Sequence, residues 1–183
     1  MSKLLALSIS IAFLVTGIGI GFMLSRYYST IEATHSADLG LADRYLDLRY
    51  INKMTAHHKS AILLAEEAKK YSKNSSVLEI ANMIISNEPK LIEELNTWKR
   101  DWYKDNSEVQ ASEIPNLGTA DRNFDLRFIN ALIAHHNEGI EMAKEAQKKS
   151  TRNEVLDNAG IVKEFLMDSV ISLEQLRLNL YNI

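Results

Sequence analysis

Leu48, Ile51, Thr55, His58, Ile62 and Ala65 follow one another at alternating steps of three and four residues. That spacing is one seam of an α-helix turned toward a partner. Tyr50, Met54, His57, Ala61, Leu64 and Ala68 run beside it at the same alternating steps, so the two stripes together make a wide buried face. Further along, Leu126, Ile129, Ile133, His136, Ile140 and Ala143 repeat the first stripe, and Phe128, Leu132, His135, Gly139, Met142 and Ala146 repeat the second. Each face carries an adjacent pair of histidines pointing inward.

The recurrence extends well beyond these helices. "LGLADRYLDLRYINKMTAHHK" from Leu39 aligns without gaps on "LGTADRNFDLRFINALIAHHN" from Leu117, at an offset of 78 residues. The register holds through Val77/Val155, Ala81/Ala159, Leu95/Leu173 and Tyr103/Tyr181, so 39–105 and 117–183 are two copies of one unit joined by a linker at 106–116. Each unit reads as a helical hairpin. In the first copy one helix is expected from about Ala42 to Lys70 and the next from about Ser76 to Lys104. Ser76 with Glu79, and Thr151 with Glu154, have capping-box spacing at the starts of the second helices. Pro89 falls inside the second helix of copy one, where loss of an amide donor is expected to kink it. Two hairpins that must cover each other's apolar faces predict an all-α four-helix bundle.

Ahead of the repeats, Leu4 to Leu24 is a run of 21 residues without a charge, followed by Arg26, Tyr27 and Tyr28. About 20 apolar residues span a bilayer, whereas a cleaved signal core is about 7–15. Residues 1–27 therefore read as a transmembrane signal anchor and 28–38 as a linker, with a long cleaved signal peptide as the alternative. Charge bias leans toward the N-terminus inside and the bundle outside, a single-pass protein with a periplasmic or other extracytoplasmic domain. Gly17 and Gly21 have the spacing that lets membrane helices approach closely, although glycine is also simply common in such spans.

Composition narrows the chemistry. With 21 Lys+Arg against 24 Asp+Glu there is no basic patch for nucleic acid. With no Cys, disulfides, thiolate metal sites and cysteine nucleophiles are excluded. No phosphate loop, nucleophile elbow or His-Glu-x-x-His motif is present. A di-iron bundle needs Glu three residues before a ligand His, but Met54, Thr55, Leu132 and Ile133 occupy those positions. A non-enzymatic role is expected.

The histidines are the remaining chemistry. If the hairpins pack about a pseudo-twofold, His57, His58, His135 and His136 meet near the centre of the bundle. Buried imidazoles need partners, because an unsatisfied polar group costs ~1–3 kcal/mol. Imidazole together with the thioethers of Met54 and Met142 suits copper, with other divalent metals behind it. Asp47 and Asp125 are candidates for orienting a ring nitrogen from a neighbouring stripe. Two other readings stand beside metal binding: a structural polar layer that fixes register and a proton sensor.

"MTAHHKSAILLA" and "LIAHHNEGIEMA" resemble the Met-x-x-His-His-x-x-Ala-Ile-x-Met-Ala signature of the domain of unknown function 305 family, over nearly the whole chain after the anchor. The resemblance implies a ferritin-like helical bundle, an exported or anchored location, and a link with copper binding and tolerance. The signature methionines are Met54 and Leu64 in copy one, Leu132 and Met142 in copy two. The acidic and thioether positions of the family's second helix read here as Leu91 and Leu95, or Ser169 and Leu173. The expected function is copper binding, buffering or tolerance at the membrane. The contending reading is a non-catalytic accessory subunit of a membrane complex or a homo-oligomer, with the histidines only packing.

Overall fold

The computed structural model is described for residues 37–183, so the expected membrane helix at 1–27 and nearly all of the 28–38 linker lie outside the described residues. Among the described residues no helix is long and apolar enough to cross a membrane. Among the described residues there are four long helices: α1 (Leu46–Tyr71), α2 (Ser75–Tyr103), α3 (Phe124–Lys149) and α4 (Asn153–Tyr181). α1 pairs with α2 and α3 with α4, and the hairpins meet where α1 packs on α3.

The side chains give the direction of that packing. Tyr50 and Met54, early in α1, share a buried cluster with Met142, Ala143 and Ala146, late in α3, and with Val155 and Ala159 of α4. Ala61, Leu64, Ala65 and Ala68 share a second cluster with Phe124, Phe128, Ile129 and Leu132, early in α3, and with Val77 and Ala81 of α2. α1 and α3 therefore run antiparallel and cross at their middles. Burying each large apolar side chain here contributes about 1.5–3 kcal/mol.

Each repeat opens with the same local device. Gly40 and Gly118 both have φ of +72°, a conformation that residues with a Cβ rarely adopt. The Arg49 guanidinium donates to the Leu39 carbonyl at 2.6 Å, and Arg127 does the same to Leu117. Leu39 and Leu117 are thereby held in the two core clusters. This turn displaces the expected helix start from Ala42 to Leu46, because the Asp43 side chain accepts from the Tyr45 amide and its carbonyl from the Leu46 amide.

The expected capping boxes are replaced. Asn74 caps α2, its side-chain oxygen accepting from the Ser76 and Val77 amides at 3.0 and 3.2 Å. The cap thus lies two residues earlier than the Ser76–Glu79 pattern implied, and the helix starts at Ser75. In copy two the equivalent Arg152 makes no side-chain cap. Its guanidinium instead binds Asp47 at 3.2 Å and lies over the Trp102 ring at 4.0 Å. α2 continues through Pro89 without interruption.

The segment between the hairpins runs back along α1. Lys59 Nζ donates to the Val109 carbonyl at 2.7 Å, and the Ser112 amide to the Ala56 carbonyl at 3.3 Å. Lys99, almost wholly buried, donates to the Ser107 carbonyl and hydroxyl at 2.8 and 2.9 Å. α4 carries more large apolar side chains outward than the other helices: Ile161, Phe165, Met167 and Ile171 are exposed, against Leu63 in α1 and Met83 in α2.

Candidate metal centre

All four histidines of the two pairs converge at the crossing of α1 and α3. His57 and His135, equivalent by the repeat, stack with ring centroids 3.7 Å apart and planes 12° from parallel. His58 lies 6.0 Å from His57, and His136 lies 5.9 Å from His135, each at a steep angle to its neighbour. His57, His58 and His136 are buried and His135 is half-buried. The helical spacing read from the sequence accounts for this convergence, and the antiparallel crossing supplies the pseudo-twofold.

The crossing is close because α3 has a glycine there. A Cβ on Gly139 would lie 2.6 Å from His57 Nε2 and 2.6 Å from Leu166 Cδ1. The corresponding residue of α1 is Ala61, so only one side of the layer is cut away to seat a ring.

Hydrogen bonding fixes one tautomer. His135 Nε2 lies 3.2 Å from the His57 carbonyl and 3.0 Å from Ser60 Oγ. A carbonyl only accepts, so Nε2 carries the hydrogen, and Nδ1 presents a bare lone pair. Ser60 Oγ donates to the same carbonyl at 2.8 Å. His135 Nδ1, His136 Nδ1 and His58 Nε2 are buried ring nitrogens with no hydrogen-bond partner.

Burial also holds His57, His135 and His136 neutral. It depresses His57 far below the usual histidine range, with His135 adding to the effect. His135 falls to about 3 by burial and then by the proximity of His136. His136 falls to about 4 by burial and by His58. At neutral pH the three rings are deprotonated, the state a metal requires of its ligands.

A fifth group completes the layer. Glu88 of α2 is buried, and its Oε2 is in contact with His58 Nδ1. That oxygen lies against His58 Nδ1 and makes no hydrogen bond. The sequence reading placed the acidic position of the second helix elsewhere and missed this residue. The signal was present: Val77, Ala81, Ile84, Glu88 and Leu95 lie on one buried seam of α2, and a carboxylate on such a seam is unusual enough to mark. In copy two the same seam position is Leu166.

The other expected site residues are placed as follows. Met54 and Met142 are both buried, and both belong to the core cluster on one side of the histidine layer. Their repeat counterparts, Leu132 and Leu64, belong to the cluster on the other side. Each copy lacks one signature methionine, and the antiparallel crossing gathers the two that remain at the same end. Asp47 is not brought to an imidazole: it accepts from Ser150 Oγ at 2.6 Å and from Arg152, tying α1 to the α3–α4 turn. Asp125 holds the equivalent position near Tyr181. Both stand ten residues before the first histidine of their helix, roughly 15 Å along the axis, too far to orient a ring.

The donors fit a late transition metal in kind: four imidazoles, neutral where burial acts on them, unpartnered lone pairs, a carboxylate and two nearby thioethers. Among the described residues no three His, Asp or Glu side chains form a ready coordination set. Lone pairs lie in the ring plane, so the stacked His57 and His135 do not aim at a common point across their faces.

The same architecture occurs in solved structures. CopM in the Cu(I)-bound form is 28% identical, with a TM-score of 0.66, over 74% of this chain and 97% of that one. CopM co-crystallised in the Ag-bound form is 29% identical with the same coverage and TM-score. CopM in the apo form is 29% identical over 74% of this chain and 98% of that one, again with a TM-score of 0.66. A comparison with curated proteins finds no match. The profile of the domain of unknown function DUF305 matches residues 47–165, which contain both histidine pairs and Glu88, and the chain belongs to that family.

Proposed function

We propose that this protein binds copper in the histidine layer, for storage, buffering or tolerance, without catalysing a reaction. The observation that carries the reading is the group of three buried, unpartnered ring nitrogens on His58, His135 and His136 at the helix crossing. An apolar substitute or a hydrogen-bonded polar layer would leave no such orphans, and each costs ~1–3 kcal/mol unless something occupies it. A copper ion would be held by these imidazoles, with Met54 and Met142 on one flank offering soft donors. The similarity to CopM, seen in a Cu(I)-bound form, supports the choice of metal. The uncharged run from Leu4 to Leu24 supports a single-pass anchor, and the slight charge bias of Lys3 and the terminal amine over Arg26 supports the bundle lying outside the cytoplasm.

Elemental analysis and copper titration of the full-length chain test this. Stoichiometric copper in the wild type, lost when His57, His58, His135 and His136 are all replaced by Ala, is the expected result. Equal copper content in the two proteins would overturn it.

A second reading has its own support. The outward face of α4 carries Ile161, Phe165, Met167 and Ile171, among the acidic side chains Glu164 and Asp168. In α2 the corresponding positions are Met83, Asn87, Pro89 and Glu93. An apolar face far larger in copy two, with Met83 its exposed counterpart in copy one, suits an accessory subunit that docks a helix of apolar and basic character in a membrane complex. Replacing Phe165 and Ile171 by Glu should then abolish association while copper content stays unchanged. Retained association would remove that reading.

A further inference from the structure

We infer that Glu88 is a positioning residue for the metal: it holds His58 in the Nδ1–H tautomer and makes the hairpin-one half of the layer selective for a divalent over a monovalent ion. The inference rests on the copper-binding reading and adds a preferred oxidation state.

Three observations carry it. Glu88 Oε2 meets His58 Nδ1, while His58 Nε2 is buried and unpartnered. A ring nitrogen facing a carboxylate keeps its hydrogen, so the lone pair is left on the opposite nitrogen. That is the carboxylate–histidine arrangement in which the carboxylate fixes the ring and raises its basicity as a ligand. Second, Glu88 is itself 8% exposed, and α2 brings no Lys or Arg to that contact. A buried carboxylate without a cation is costly, and a doubly charged ion offsets it more fully than a singly charged one. Third, the repeat supplies an internal control. Leu166 fills the same seam position in copy two, so His136 has no carboxylate and its Nδ1 is unpartnered. The backbone therefore does not require an acid there.

The chemical consequence is a preference for Cu(II), or another divalent ion that accepts nitrogen donors, at His58. Cu(I) is bound well by imidazole and thioether and gains less from a nearby anion.

The test uses the full-length chain, its E88Q variant, and Cu(II) and Cu(I) titrated separately against competing chelators. E88Q keeps the shape and removes the charge. It is expected to weaken Cu(II) binding about tenfold, at the lower end of the effect of such partners, and Cu(I) binding less than threefold. The midpoint potential of bound copper should then rise, by about 59 mV for each tenfold divergence of the two affinities. Equal losses for both ions, or no loss, would overturn the inference while leaving copper binding intact. A wild type that binds neither ion removes the copper reading and this inference together. The tautomer is read independently of any variant. Long-range proton–nitrogen correlation spectra of the metal-free wild type should show His58 protonated at Nδ1, and protonation at Nε2 would overturn the inference even if E88Q failed to fold.

Discussion

α2 and α4 are the same helix written twice, and they have been changed in opposite directions. α2 puts a carboxylate, Glu88, on its buried seam and keeps its outward face mostly polar apart from Met83, with Glu93 and Arg100 paired at 2.9 Å. α4 puts Leu166 on the seam and turns Phe165 and Ile171 outward. The first helices differ as well: Ala61 in α1 corresponds to Gly139 in α3, and only the glycine admits the His57 ring. Duplication fixed a pseudo-symmetric backbone, and divergence then gave one hairpin the polar partner and the other the close approach and the exposed apolar face. A ligand bound between them meets two chemically different halves.

Acid should separate the halves most strongly. His57, His135 and His136 have folded pKa values below the unfolded histidine value of ~6.5. The unfolded chain therefore takes up these protons first as pH falls. The stability they permit is complete above about pH 6.5 and is lost as pH drops toward 4, by roughly 1 kcal/mol per pH unit for each ring. Urea denaturation of the metal-free protein across pH 4–7 should show this slope. Replacing His135 and His136 by Asn should remove the share carried by the second hairpin, and an unchanged slope would show that these rings are not neutral in the fold.

Gly139→Ala comes next. Overpacking of this kind costs ~1–3 kcal/mol, against ~1 kcal/mol gained from helix propensity. A net loss of about 1–2 kcal/mol is expected because His57 is trapped between Gly139 and the His135 ring. The reciprocal Ala61→Gly should cost only about the propensity difference, ~1 kcal/mol, and leave the stack in place. Equal disruption of the histidine ring resonances by both would erase the asymmetry.

Smaller effects probe the hairpin starts and outer faces. Asn74→Ala should cost about 1 kcal/mol through loss of the α2 cap. Arg152→Ala, at the equivalent position, should cost less, because its Asp47 contact is partly exposed. Thermal unfolding under identical conditions ranks the two. Ile171→Glu copies the α2 residue Glu93 onto α4 and should change stability by less than about 0.5 kcal/mol. A large loss on denaturation would mean that this face is packed within the protein rather than open.

Much of the fold was legible because helical hairpins announce themselves locally. Three-and-four spacing needs only the sequence to show which face is buried, and the offset of 78 residues showed that whatever one copy does the other attempts. Helix starts were less legible: the capping-box spacing at Ser76 was outcompeted by Asn74, whose side chain reaches two amides at once. Glu88 was readable as a charged residue on an apolar seam, but the motif comparison directed attention to Leu91 and Leu95. Asp47 and Asp125 misled because a shared helix and a nearby stripe do not imply nearness along the axis.

The sequence alone determined that two equivalent helices bury paired imidazoles, since periodicity is a property of each helix by itself. Which ring stacks on which, the placing of Met54 and Met142 at one end, and the meeting of Glu88 with His58 are long-range facts. They follow from the antiparallel crossing of α1 and α3 and from the rotation of α2 about its own axis. Those are set by how four apolar faces fill space together, and only the tertiary structure decided them.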